Sequence, residues 1–226
     1  TIVLRDGQLQ KELSDLTALP AGVSVNNVND LDAQSLQYYQ QKLRLLADSS
    51  DSFVHLNTAL SDSGILINID KNLHCIPPLE ILYVHTQDGA FQGHDHCVVR
   101  IQSGAKITLY ERHVSQNNIP YLHNIVTQID LGESANCTHY KIQGEGLNTY
   151  HIAHTTVCQQ AASHYAGFSL ARGAVFQHEE VDWQLLGEGA SVDWKSLLFA
   201  SGSQQLQCFS RASHLSPRCH SQQEIR

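Results

Sequence analysis

The chain has 226 residues, 42% hydrophobic and 16% charged, a balance that suits one large folded domain and excludes intrinsic disorder. Its formal charge of −8 comes without any Lys/Arg run, which excludes nucleic acid and anionic membrane as partners, since both are recognised by clustered positive charge. No secretory pattern and no apolar stretch approaching about 18 residues is present, so no segment is expected to enter a membrane.

A strand is predicted over 1–5, within a mixed, loop-like stretch that runs to residue 30. A helix is predicted near 31–47. Leu36, Tyr39, Leu43 and Leu46 recur at spacings of 3, 4 and 3 and so share one face. Asp30 and Asp32 stand at its start, where negative charge meets the positive end of the helix dipole. The SSDS at 49–52 should stop it.

From Phe53 onward the pattern is that of strands. Short alternating runs at 65–69, 98–101, 107–110 and 125–129 are rich in β-branched residues and separated by Gly, Ser and Asn. The corners between them repeat: SGAK at 103–106, GESA at 132–135, QAA at 160–162 and GEGA at 187–190. Their alanines, Ala105, Ala135, Ala162 and Ala190, lie 30, 27 and 28 residues apart. A period between roughly 20 and 50 residues signals a solenoid or a propeller, and each unit here is too short for a four-stranded blade. A parallel β-helix fits, with the four alanine corners stacked in line. An antiparallel sandwich would share the alternation but would join KITLYE to VTQIDL by a hairpin.

Three stretches resemble one known family. FVHLNTALSDSGILINIDKNLHCIPPLEILY (53–83) is similar to its entry into the β-helix, and HNIVTQIDLGESANCTHYKIQGEG (123–146) to its middle coils. The tail is the most specific, with LGEGA at 186–190, Gly202, and the spacing of His214, Pro217, Cys219, Ser221 and Gln223. These residues resemble the SufB/SufD family of the SUF iron–sulfur cluster assembly system, nearer the SufD side. The resemblance implies a right-handed parallel β-helix with a small helical amino-terminal region. It divides the chain into a loop and helix region at 1–52 and a β-helix core at 53–226, with the family's carboxy-terminal part missing. It implies a cytoplasmic scaffold subunit, not an enzyme, that pairs with a SufB-like subunit and a SufC-like ABC ATPase. An iron–sulfur cluster would belong to the complex, and this chain would bind no cofactor tightly. If the chain stops near Arg226, its last strands are bare and a homodimer through that end is expected when it is isolated.

Candidate chemistry is sparse. His94 and His96 would share one face of a strand, as in a cupin-type metal enzyme, which is the alternative function. They supply only two ligands, and a solvated strand edge or turn explains them more simply. His151 and His154, three apart in a strand, should face opposite ways and share no site. Glu179, Glu180 and Asp182 could be the paired acids of a β-helical glycosidase, but the run reads as a solvated face. His214, Cys219 and His220 are weak metal candidates, more simply a shaped corner with a buried thiol. The six cysteines, Cys75, Cys97, Cys137, Cys158, Cys208 and Cys219, are scattered without CxxC and are expected to be reduced. Stacking of Cys137 on Cys158 is doubtful, since 21 residues is short of one repeat. No P-loop, GxSxG, GxGxxG or HExxH is present, so no nucleotide turnover is expected.

Overall fold

The computed structural model describes residues 1–49, 51–61, 63–74, 77–87, 89–116 and 118–226, so Cys75 lies outside the described residues. The amino-terminal segment carries β1 (Ile2–Arg5), β2 (Gln8–Leu9), β3 (Val23–Asn27) and two helices, α1 (Ala33–Leu45) and α2 (Ser52–Leu60). Twelve strands follow. Six form one stack: β4 (Ser63–Ile69), β6 (Phe91–Ile101), β8 (Tyr121–Leu131), β10 (Thr149–Gln159), β12 (Phe176–Leu185) and β14 (Gln205–His214). The alternate six form the other: β5 (Leu79–His85), β7 (Lys106–Ser115), β9 (Asn136–Gln143), β11 (His164–Ala171), β13 (Ser191–Leu198) and β15 (His220–Ile225). Within each stack every pairing is parallel, so each coil contributes one strand to each sheet and the chain is a parallel β-helix. KITLYE lies in β7 and VTQIDL in β8, which belong to different sheets, so no hairpin joins them.

The corners stack as the repeat demands, with one position shifted. Asn72, Gly104, Ser134, Ala162, Gly189 and Arg218 all have positive φ, between 55° and 71°. The residue after each turns inward: Ala105, Ala135 and Ala190 are fully buried, and so is Ser163. The third member of the row is therefore Ser163 and not Ala162, which occupies the left-handed turn position. The N–H of this inward residue folds back on the carbonyl three residues earlier, as from Ala135 to Gly132 and from Ser163 to Gln160, and the middle corners place short side chains there. The left-handed residues from Asn72 to Gly189 each donate their own N–H to the next coil, as from Gly104 to Glu133 and from Ser134 to Ala161.

β1 was expected and is found, and it extends the second sheet by pairing parallel with β5. β2 and β3 pair antiparallel, on β1 and β4 respectively. The expected 31–47 helix is α1, capped by Asp32 accepting from the Ser35 N–H at 2.7 Å and continued by a 3-10 turn, Leu46–Asp48. Its Tyr39 packs on Leu66 and Val98, on the outer face of the first sheet. α2 is a correction, since 53–60 reads as strand. Asp51 caps it by accepting from the Phe53 N–H at 2.8 Å, so the SSDS segment starts a second helix as well as ending the first. Its buried face carries Val54 and Asn57, and the Asn57 amide donates to the carbonyls of Asp95 and Asn124, both at 2.9 Å. An asparagine in the apolar register hides the helical period. The 52/53 boundary falls inside this helix.

The interior is graded. Beside the corner, inward rows are hydrocarbon: Ile69, Ile101 and Leu131 stack in register, as do Ile67, Val99 and Ile129. At the opposite edge the rows turn polar. His123 stacks on His151, and Glu111 on Lys141.

Candidate functional site

The polar edge of the interior is the densest chemistry in the molecule. His113, His123 and His151 are fully buried, and Asp95, Glu111, Lys141 and Glu145 are at most 5% exposed. The strand period of two places them: β7 turns Glu111 and His113 inward, β8 His123, β9 Lys141, and β10 His151. Glu145 enters from the loop after β9.

Two cations hold four carboxylates. His123 lies between Asp95 Oδ2, 3.0 Å from its Nε2, and Glu145 Oε1, 3.2 Å from its Nδ1. Burial alone would depress its pKa; the hydrogen bonds to Asp95 and Glu145 reverse that and raise it to about 9. Lys141 Nζ lies 3.5 Å from Glu111 and 3.3 Å from Glu179. Burial pulls the ammonium down, but these two carboxylates outweigh it and its pKa is raised. Burial raises the Asp95 carboxyl, and the hydrogen bond from His123, together with the electrostatic influence of His123, His85 and His113, outweighs this, leaving it below its usual range.

The imidazoles of His113 and His151 are neutral, and each lies against a carboxylate. His113 Nε2 is hydrogen-bonded with Glu111 Oε1 at 2.7 Å, and His151 Nδ1 lies 2.7 Å from Glu145 Oε2 without hydrogen-bond geometry. His113 Nδ1 and both ring nitrogens of His151 have no hydrogen-bond partner among the described residues. Burial pushes His113 down to about 3 and also lowers His151. Among the described residues, three groups could hold a metal: His113, His123 and His151; His85, Asp95 and His123; and Asp51, His154 and Glu180.

The candidates from sequence are dispersed. His94 and His96 do not sit on a solvated edge; both are buried in β6, on its outer face beneath the helices. His96 Nδ1 is 2.6 Å from the Tyr39 hydroxyl and its Nε2 is 3.1 Å from Gln128 Oε1, so it is committed to packing α1, and nothing supports a cupin-type site. The residue between them, Asp95, is the one that reaches the interior. His151 and His154 face opposite ways as expected, yet His151 is central to the interior cluster. Glu179, Glu180 and Asp182 do not form a solvated face. Glu179 points inward, is 2% exposed and accepts from the Ser169 hydroxyl, while Asp182 accepts from Arg211. His214 donates to or accepts from the Ser221 hydroxyl at 2.9 Å, Cys219 sits in the inward corner row, and neither joins His220 in any of the three metal-capable groups. The described cysteines are free thiols, with Cys137 and Cys158 in different sheets. His113 and His123 were not singled out, and His151 was set aside with His154, because in one sequence each is a lone His on an alternating strand. The signal that could have found them is the shared inward register of 123 with 151.

His96 supports a pH prediction. Burial lowers its pKa from 6.5 to about 4. Between those values the unfolded chain takes up a proton that the folded chain refuses. Stability is full above pH 6.5 and falls as the pH drops towards 4, by about 3 kcal/mol from this one group. His96→Gln is expected to flatten the pH dependence of urea unfolding by that amount between pH 6.5 and 4. An unchanged slope would show that His96 is not the group responsible.

Residues 83–226, from within β5 to the last strand, match the family model described as SUF system FeS cluster assembly, SufBD core domain. A curated relative, an iron–sulfur cluster assembly SufBD family protein from Synechocystis sp., is 25% identical over 212 residues, which cover 90% of this chain and 47% of the relative. The chain thus spans about half the length of the curated relative it matches.

Proposed function

The chain belongs to the SufBD family of the SUF iron–sulfur cluster assembly system, and from that premise we propose that it is a scaffold subunit of cluster assembly with no turnover of its own. The observation that carries this reading is the coincidence of the family match with the stacked coils: the matched residues are most of the β-helix, from within β5 to β15. A solenoid offers long, regular surfaces and strand ends on which other chains assemble. We place it on the SufD side of the family, in the cytoplasm, with a SufB-like subunit and a SufC-like ABC ATPase as partners and an iron–sulfur cluster as the cargo of the complex. No helix of the described residues is long and apolar enough to cross a membrane. The test is co-purification of the tagged full-length gene product from its own cells. An ABC-type ATPase and a second β-helical subunit are expected with it; their absence under mild lysis, with the bait folded, would overturn the assignment.

We propose the last coil as the place where a partner pairs. β14 and β15 are the outermost strands of their sheets, each paired on one side only. Phe209 is 54% exposed, Leu215 61% and Ile225 44%. Unpaired edge N–H and C=O groups beside apolar side chains are a template for another chain. Light scattering on the 226-residue chain is expected to give a two-fold dimer through this end, lost when a SufB-like subunit is added. A monomer at high concentration would sink this prediction.

A further inference from the structure

The geometry points to a divalent transition-metal site inside the β-helix, with His113, His123 and His151 as ligands. Nothing in the scaffold role calls for three converging imidazoles in the interior, yet each of the three offers a ring nitrogen within 4.8 Å of the other two. His123 and His151 are register neighbours on adjacent coils, and His113 faces them from the opposite sheet. Ring centroids are 4.8 Å apart for His113 and His151, and 5.2 Å from each of these to His123.

Two features separate this cluster from an ordinary buried polar network. First, His113 Nδ1 and His151 Nε2 are buried without a hydrogen-bond partner among the described residues, a loss that a folded interior seldom tolerates. Second, a carboxylate stands behind the other nitrogen of each: Glu111 in a hydrogen bond with His113 at 2.7 Å, and Glu145 at 2.7 Å from His151 Nδ1, an ion-pair contact without hydrogen-bond geometry. A carboxylate behind a histidine fixes its tautomer, aims the free lone pair and raises its basicity, the arrangement found behind metal-ligating histidines. His123 has a carboxylate on each side and would surrender one contact to coordinate while keeping the other. Three imidazoles select the borderline ions, Zn(II), Fe(II), Co(II) or Ni(II), over Mg(II) and Ca(II). Metal–nitrogen bonds of about 2.0–2.1 Å place tetrahedral ligands about 3.4 Å apart, so the rings must close by about an ångström. Two cations already stand against four carboxylates at this edge, so added positive charge is electrostatically favoured.

Binding here is independent of whether the chain assembles clusters, because the probe is the metal alone. The whole chain, stripped with chelator, is titrated with Co(II), both as purified and after refolding with Co(II) present, since the site is fully enclosed. One ion per chain is expected, with visible d–d bands. His113→Ala and His151→Ala are each expected to weaken binding at least about tenfold, and Glu111→Gln, which keeps all three imidazoles, by about 10- to 100-fold. His154→Ala, in the separate outer group, should leave affinity unchanged. X-ray absorption on the Co(II)-loaded wild type should show three imidazole ligands, a readout that does not depend on any variant folding. No uptake under either protocol, an oxygen-only ligand shell, or uptake that survives both alanine variants would each overturn the site.

Discussion

Lys141→Ala is expected to lower the unfolding free energy by about 3–5 kcal/mol, because it strands two carboxylates in the interior without a counter-charge. Lys141 lies on β9 with Glu111 its register neighbour on β7, and its ammonium reaches across to Glu179 on β12. All three side chains are nearly or fully excluded from solvent. The loss is a penalty for removing one partner and not a measure of what the intact network contributes, since a well-packed apolar replacement of the whole group can be neutral or better. The double variant Lys141→Ala with Glu179→Gln should therefore recover part of the loss, because one of the two stranded charges is gone. Chemical denaturation at neutral pH reads both. A double variant no more stable than the single one would mean that packing around the lysine stem, not its charge, is what matters.

Gly187→Ala carries the second large effect, about 3 kcal/mol, at the upper end of what overpacking usually costs. A methyl group at 187 would lie 1.9 Å from the Ala161 nitrogen and 2.4 Å from the Gln160 carbonyl carbon. Both are backbone atoms of the coil beneath, so no side chain can swing aside. The reason is countable in the chain. The first corners run four residues from the last inward strand position to the inward small residue, as from Leu131 to Ala135, whereas this one runs five, from Leu185 to Ala190. The extra residue makes a bulge: the N–H groups of Leu186 and Gly187 both donate to the Gln159 carbonyl. The bulge presses the backbone at 187 onto the coil below. By contrast, Gly189→Ala meets no atom within 4 Å and is strained only through its positive φ of 71°, so it should cost clearly less. Equal losses at the two positions would refute the close-approach account.

The β-helix was legible because its repeat is written in backbone requirements. A corner needs a small inward residue after a left-handed one, and SGAK, GESA and GEGA show it directly. QAAS shows it with a serine, which is why the third position was misjudged by one residue. α1 was legible from an apolar face at helical spacing. α2 was not, because a buried asparagine that bonds two strand carbonyls occupies its face. The interior cluster was illegible for a different reason. Alternation tells that His123 and His151 point to one side of their strands, but polar residues on alternating strands are normally assigned to solvent. Only the register of β8 on β10, together with the opposite sheet closing over them, turns that side into the inside. Asp95 and Glu179 were hidden in the same way within runs, HDHC and HEEV, where each is flanked by outward-facing residues: His94 and His96 beside Asp95, His178 and Glu180 beside Glu179.

The two ends of the solenoid are not alike. At the first coil, the neighbouring strands β2 and β3 run antiparallel to their partners, and β2 is only two residues long. Neither presents a register on which another parallel coil could stack. The last coil keeps the parallel register, with β14 and β15 continuing their sheets. Whatever lengthens the stack, further chain or another subunit, is therefore admitted in one direction only, and the amino-terminal end acts as a fixed cap.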